Sequence, residues 1–350
     1  MNSSNNLLLP IFHHIYVETR ALSHPRTIQL LKHFSKAKII EIKHYKDVFN
    51  RRHQNFIVQK NSPALILALK EEPFLYPGAP VCQNFNQKYF YYTSCVMNCI
   101  FDCQYCYLQG MYPSANLVFF VNLEDIFSEL EKMLKEHPIY LCISYDTDLL
   151  ALESLLSYCE QWLIFTSKHP TLTIELRTKC ADTPSFKQLL ELLKELSDTD
   201  HSLKHRFIFA FTISPEKVQK TLEQKTSSFT GRLRAASLLA SFQFPVRLCL
   251  DPLLYVENWK EQYFTLIKTI FSFLSEENIR DISVGTFRVS KEYLKRMRKQ
   301  RPDSYILQYP YETKSGVFQY EEKLEKELLE TVIGYLSNYI SSEKIFVWKG

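Results

Sequence analysis

The sequence predicts an α/β fold: a parallel sheet curled into a partial (β/α)6 barrel, with extensions at both ends. Three observations predict it. Short β-branched and aromatic runs alternate with helical stretches of about 10–15 residues, the pattern of βα units feeding a parallel sheet. Roughly six such units fit between residues 117 and 300, too few for a complete eight-fold TIM-type barrel. The composition is globular, with 46% hydrophobic and 23% charged residues in 350, which excludes a disordered chain.

The elements follow in order. An N-terminal piece over residues 1–88 offers a strand at His14 to Glu18, a helix at Arg26 to Phe34, and strands at Lys38 to Ile42 and Leu65 to Leu69. Pro73, Pro77, Gly78 and Pro80 mark a connector. The barrel is expected over residues 89–288. Its strands are read at Leu117 to Asn122, Ile139 to Ser144, Leu172 to Thr178, Arg206 to Ile213, Phe244 to Leu250 and Ile282 to Arg288. The helices between them are read at Leu123 to Lys135, Asp148 to Trp162, Pro184 to Leu196, within the stretch up to Ser241, and at Trp259 to Leu274. A third region, 289–350, holds a basic segment, a hairpin and a helix at Glu321 to Tyr339 whose Leu and Ile recur at three and four. A short strand is expected within Lys344 to Lys349.

Several classes are excluded. No apolar run is long enough to span a membrane. The N-terminus MNSSNNLLLPIFHHIY lacks a basic region and a long apolar core, so no secretory signal is expected and the reading is cytoplasmic. A net charge of +4 is too small to argue alone for nucleic acid. Only 7 glycines occur and none are adjacent. That removes the phosphate-cradling P-loop and the dinucleotide GxGxxG turn. There is no GxSxG elbow either.

Cysteine carries the chemistry. Four of the nine cysteines fall between 95 and 106, and in a reducing compartment such clustering reads as metal binding. Cys99, Cys103 and Cys106 form C-x3-C-x2-C. Three thiolates on so short a loop can hold three irons of a [4Fe–4S] cube and leave one iron open. The competing reading is zinc, with Cys95 as a fourth thiolate closing the site.

The C-x3-C-x2-C motif resembles that of the radical S-adenosylmethionine (SAM) superfamily. The resemblance implies a [4Fe–4S] cluster whose open iron is chelated by SAM, and reductive cleavage of SAM to a 5′-deoxyadenosyl radical. The Gly-Gly-Glu stretch with which many members bind the SAM amino group is absent. Within the superfamily the chain is similar to the spore photoproduct lyase family. Cys103 to Gln109 resembles that family's cluster loop with both tyrosines, and Phe120 to Ile126 its next strand and helix start. Thr178-Lys179, Thr226 to Phe229 with Arg232, and Phe287-Arg288 resemble further blocks. The likeness implies a radical SAM lyase that repairs a thymine dimer in DNA. In it Cys142 would donate a hydrogen atom to the product radical, and Tyr105 and Tyr107 would return the radical toward SAM. Ser144, Lys179 and Thr212 would contact SAM. An electron donor such as a flavodoxin or ferredoxin is implied as partner.

Between Arg288 and Arg301 seven cations face one acid, Glu292. Lys291, Lys295 and Arg298 share a helical face. With Arg288 they are the expected phosphate contacts, and nearby Tyr305, Tyr309, Tyr311 and Phe318 suit an unstacked base. Two departures bear on substrate. The family's Met-Gly-His between the first two cluster cysteines is Ile100-Phe101-Asp102. The acid expected after Ser144 is Tyr145, with Asp146 one place later. A lyase of this family acting on RNA, a modified nucleotide or a peptide is therefore the second reading, and a zinc-stabilised nucleic-acid-binding protein the third.

Overall fold

A computed structural model describes residues 9–79, 82–181 and 183–348. Its larger sheet has eight strands, in the order Ile345–Val347, Ile279–Thr286, Val246–Leu253, Phe207–Thr212, Leu172–Thr178, Ile139–Cys142, Phe90–Tyr92 and Tyr76–Pro77. All neighbours are parallel except the last pair. Helices Pro184–Thr199, Phe229–Ser241 and Trp259–Phe273 lie in the crossovers, which parallel pairing requires.

Successive side chains alternate along a strand, so every second residue can face the lumen. Near the strand starts, Tyr140, Glu175, Arg247 and Asp281 form one buried set. Arg247 donates to Glu175 at 2.6 Å, to Asp281 at 2.7 Å and to the Tyr140 hydroxyl, which itself donates to Glu175. Tyr140 and Arg247 stand on strands three places apart in the sheet. A flat sheet would hold them well beyond contact, so the sheet is curled into a half barrel. Phe85 lies 3.2 Å beneath the Arg247 guanidinium and covers that end. Two residues further along come Cys142, Arg177 and Cys249. Two further still come Ser144, Lys179, Thr212 and Asp251, which border a cavity.

A second sheet has five strands, in the order Lys38–Ile42, His14–Glu18, Leu65–Ala68, Leu117–Phe120 and Val96–Met97. Only its last pair is antiparallel. Leu117–Phe120, read in the sequence as the first barrel strand, thus pairs with Leu65–Ala68 instead. All four of its residues are buried, as in a strand covered on both faces. Hydrophobic runs announce such a strand without saying which sheet receives it.

The helix expected over Asp148 to Trp162 is broken. Leu150–Leu152 and Glu153–Leu156 end at Ser157, whose φ is 50°, and a new helix runs over Tyr158–Ser167. Buried Glu153 explains the restart. Its carboxylate accepts the backbone N–H of Cys159 at 2.7 Å and of Glu160 at 2.9 Å, satisfying donors that a helix start leaves free.

In the C-terminal region, Lys291–Gln300 is helical, and strands Glu312–Lys314 and Val317–Gln319 form the expected hairpin. The helix Glu322–Leu336 lies against Trp259–Phe273, with Lys260 paired to Glu327 at 2.6 Å. Ile345–Val347 then pairs with Ile282 to Val284 at the sheet edge. No helix among the described residues is long and apolar enough to cross a membrane.

Candidate active site

The cysteine loop lies between Val96–Met97 and Leu117–Phe120, where the two sheets meet. Asn98 turns the chain into it with φ 69°, a conformation asparagine tolerates. Its side-chain amide donates to the carbonyls of Ser114 at 2.7 Å and Asn116 at 2.8 Å. The Lys60 ammonium donates to the Cys99 carbonyl. Cys103 is held by antiparallel pairing of Asp102–Cys103 with Glu223–Gln224. The Gln109 amide spans the turn, donating to the Cys103 carbonyl at 2.7 Å.

Cys99, Cys103 and Cys106 all wall the same cavity, of about 480 Å³, within the usual size of small-molecule sites. Cys95 does not line it and belongs to the hydrophobic core. Among the described residues, no three Cys, His, Asp or Glu side chains close around a point as ligands of a single metal ion would. Three thiols spread over one wall, with the fourth cysteine turned away, suit a cube with an open corner better than a closed zinc site. Burial pushes the Cys99 thiol up to about 12 and raises those of Cys103 and Cys106. Bound iron would reverse that shift by favouring thiolate.

Ser144, Lys179 and Thr212 border the same cavity. The Ser144 hydroxyl accepts the Arg177 N–H at 2.7 Å. Burial pushes the Lys179 ammonium down, but Cys103 and Glu223 outweigh it and its pKa is raised. A protonated Lys179 therefore faces the thiols, with its nitrogen 5.6 Å from the centre of the Tyr105 ring. Tyr105 donates to Glu223, and Tyr107 donates to the Tyr145 carbonyl at 2.6 Å.

Cys142 lies one layer deeper, at 6% exposure, and is not on the cavity wall. Burial raises its thiol well above the ordinary range, so it keeps its S–H at neutral pH.

The expected phosphate contacts divide. Lys291 and Lys295 are exposed, Lys295 beside Glu292 at 3.0 Å. Arg288 and Arg298 are engaged within the chain. Arg288 pairs with Asp251 at 2.8 Å and borders the cavity. Arg298 donates to the Leu307 and Tyr309 carbonyls at 2.6 and 2.7 Å. The helical-face spacing that grouped Lys291, Lys295 and Arg298 could not reveal this, because carbonyl partners leave no mark in sequence. Much of the basic segment instead braces the cysteine loop. Arg301 pairs with Asp102, and Arg296 donates to the Gly110 carbonyl at 3.1 Å. A Cβ on Gly110 would sit 2.5 Å from the Tyr293 backbone, so this glycine permits the close approach.

Sequence reasoning missed several wall residues. Arg177 carries a signal in hindsight, lying two places before Lys179 on the same strand face. Asp148 accepts the Lys179 N–H at 2.6 Å and the Thr178 hydroxyl at 2.8 Å. Cys82 borders the cavity, its sulfur 2.9 Å from the Tyr145 hydroxyl. Tyr145 also borders the cavity, its ring stacked on Tyr92 at 4.2 Å. Asp146 is buried and accepts a hydrogen bond from Ser94, so the shifted acid does not restore a carboxylate to the wall. Ile100 and Phe101, the bulky replacements in the loop, are both buried, and Phe101 also borders the cavity.

Residues 86–340 match the spore photoproduct lyase family. The chain belongs to that family. Spore photoproduct lyase of Bacillus subtilis is 24% identical over 348 residues, covering 95% of this chain and 96% of the relative. A Geobacillus spore photoproduct lyase is 24% identical over 261 residues, covering 71% and 73%. Spore photoproduct lyase complexed with dinucleoside spore photoproduct superposes with a TM-score of 0.78 at 21% identity, covering 97% of this chain and 98% of that one. A mutant with bound AdoMet and the same dinucleoside gives 0.77, at the same identity and coverage. These likenesses establish the half-barrel fold. Members of the spore photoproduct lyase family are radical SAM lyases that use a [4Fe–4S] cluster.

Proposed function

We propose that this chain is a radical SAM lyase that splits a thymine dimer of the spore photoproduct type in DNA. One observation carries the reading: three cysteines of a single loop, protonated Lys179 and two strand-end hydroxyls border one cavity, with a buried thiol one layer below. Cys99, Cys103 and Cys106 would hold the cluster, and Ser144, Lys179 and Thr212 would bind SAM. When bound, cluster and SAM supply a 5′-deoxyadenosyl radical able to take a hydrogen atom from the lesion.

The rest falls to side chains of this chain. Lys179 offers its charge to a carboxylate. Cys142 gives its S–H hydrogen atom to the thymine radical left when the inter-thymine bond breaks, and keeps the unpaired electron on sulfur. Tyr107 and Tyr105, each with a phenolic hydrogen, border the same cavity and would pass a hydrogen atom back toward SAM. Lys291 and Lys295, both exposed, would meet DNA phosphates. Nine free cysteines and an oxygen-sensitive cluster fit a reducing, cytoplasmic setting.

Anaerobic reconstitution followed by a SAM-cleavage assay, with and without dinucleoside spore photoproduct, tests the proposal. The expected result is iron and sulfide in the protein and repaired dinucleotide in the presence of lesion. A colourless zinc protein, or no repair by a loaded enzyme that still cleaves SAM, would overturn it. Cys142→Ala should still cleave SAM but yield altered products; an unchanged product distribution defeats that assignment. Tyr145 favours one alternative, a related lesion or nucleotide, because the stacked Tyr92–Tyr145 pair gives the wall an aromatic face where an acid was expected. Offering RNA and other dinucleotide lesions to the same loaded enzyme distinguishes the two.

A further inference from the structure

One stretch of the cavity wall is charged without serving the cysteine loop. Arg177 and Asp251 both border the cavity, on strands Leu172–Thr178 and Val246–Leu253. Each has a partner of its own. Arg177 donates through Nε to Glu175 at 3.0 Å, and Glu175 is also bound by Arg247 at 2.6 Å. Asp251 receives both arms of Arg288, at 2.8 and 3.1 Å. Gly285 makes room for that second pair, since a Cβ there would sit 2.8 Å from the Arg288 Nη1 and 3.0 Å from the Asp251 Oδ1. Among the described residues, no ion pair joins Arg177 to Asp251.

The two nonetheless face one place. Burial raises the Cys82 thiol, while Tyr145, Arg177 and Arg288 lower it and Asp251 raises it further, so these groups gather around one sulfur on the wall. A guanidinium has five donors and a carboxylate about four acceptor sites, so neither is used up by its partner. The Arg177 side chain is 31% exposed. It belongs to the strand layer of Cys142, and Tyr145, stacked on Tyr92 at 4.2 Å, adds an aromatic face to the same wall.

Resting on the lesion reading given above, we propose that Arg177 and Asp251 are the pair that reads the base: Arg177 donates to a ring carbonyl and Asp251 accepts the neighbouring ring N–H, with the ring against Tyr145. A thymine or uracil ring carries its C4 carbonyl beside N3–H, the complementary order. A cytosine ring presents an amino donor beside an acceptor nitrogen, so donor would meet donor and acceptor would meet acceptor in a water-poor site. The substrate class is therefore a lesion of imide-bearing pyrimidines. Glu175 and Arg288 aim the two readers, and the ring they hold lies above the Cys142 layer. No bond forms or breaks at either residue.

The test uses the full chain, loaded anaerobically, and measures by calorimetry its binding of dinucleoside spore photoproduct and of the two forms methylated at N3 of a single ring. In the wild-type protein at least one methylated form should bind about 10–100-fold more weakly, the loss of one hydrogen bond to a charged group. Asp251→Ala should weaken binding of the unmodified lesion by a similar factor and lose most of the methylation penalty. Arg177→Met should weaken binding too but keep that penalty, because its partner is the carbonyl. The methylated substrates need no variant, so a variant that fails to fold leaves the test standing. Equal wild-type affinity for all three lesions, or a methylation penalty as large in Asp251→Ala as in the wild type, would overturn the reading pair. A loaded wild-type chain that binds none of the three would instead overturn the lesion reading on which the pair rests.

Discussion

Two buried arginines hold carboxylates and tyrosines in sets of like chemistry. Arg247 binds Glu175, Asp281 and Tyr140 near the strand starts. Arg232 binds Glu223 at 2.6 Å and donates to the Thr212 carbonyl at 2.9 Å, while Glu223 also accepts from Ser214 at 2.7 Å and from Tyr105. Both arginine side chains are nearly inaccessible. Their surroundings differ. The Arg247 set joins four strands of one sheet and meets the cavity at one point, where Glu175 also pairs with the wall residue Arg177 at 3.0 Å. The Arg232 set joins Thr212, Tyr105 and, through Glu223, the strand carrying Cys103. One set holds the half barrel closed; the other fixes where the cysteine loop sits. Like chemistry serves stability at one end and alignment at the other.

Arg247→Ala should break this contrast most severely. It removes the buried partner shared by two carboxylates, leaving Glu175 only Arg177 at 3.0 Å and Asp281 only Arg280 at 3.4 Å, and removing one partner of a buried pair costs about 3–5 kcal/mol. Denaturant unfolding should show that loss, while iron content per folded molecule stays at the wild-type level. Glu223→Gln retains an acceptor but removes the charge, with an expected loss of about 1–3 kcal/mol. Its mark should be reduced iron retention and a shifted cluster potential, which a purely structural residue would leave alone. If Arg247→Ala alone lowers iron retention, the division of roles is wrong.

Acid sharpens the comparison. Burial pushes the Glu175 carboxyl up, but Arg177 and Arg247 outweigh it and its pKa is lowered. Glu223 is lowered in the same way, against burial, by Arg232 and Lys179. A lowered folded-state pKa gives stability that is fully present above the unfolded value of about 4.3 and is lost as pH falls through the folded one. Glu175→Gln should therefore flatten the fall in stability below about pH 4, measured by chemical denaturation at stepped pH. Gly110→Ala, with its Cβ meeting the Tyr293 backbone, should cost about 1–3 kcal/mol through overpacking. It should also reduce iron retention by moving the helix that braces the loop. Tyr105→Phe should have the smallest effect on folding, about 1 kcal/mol for one lost hydrogen bond, yet slow turnover.

The sequence and the structure agree where periodicity and motif speak. Leu172–Thr178 is a strand with the predicted bounds, because a β-branched run between turn signals has few alternatives. Cys99, Cys103 and Cys106 meet because they share one short loop. Agreement ends where distant residues meet. Glu223 reaches Tyr105 across 118 positions, and nothing local in Glu223-Gln224 announces it. Arg298 looked like a phosphate contact because its carbonyl partners are invisible to composition. The break at Ser157 depended on a single glutamate folding back, which helical spacing cannot express.

The placement of Leu117–Phe120 beside Leu65–Ala68 carries one more consequence. The chain leaves the large sheet after Phe90–Tyr92, visits the small one on both sides of the cysteine loop, and returns at Ile139. A polypeptide shortened to start near residue 89 would strip Leu117–Phe120 of its parallel neighbour and bare a hydrophobic backbone ribbon to self-association. The first quarter of this protein is thus a structural prerequisite for presenting the three cysteines, and cannot be treated as a detachable appendage.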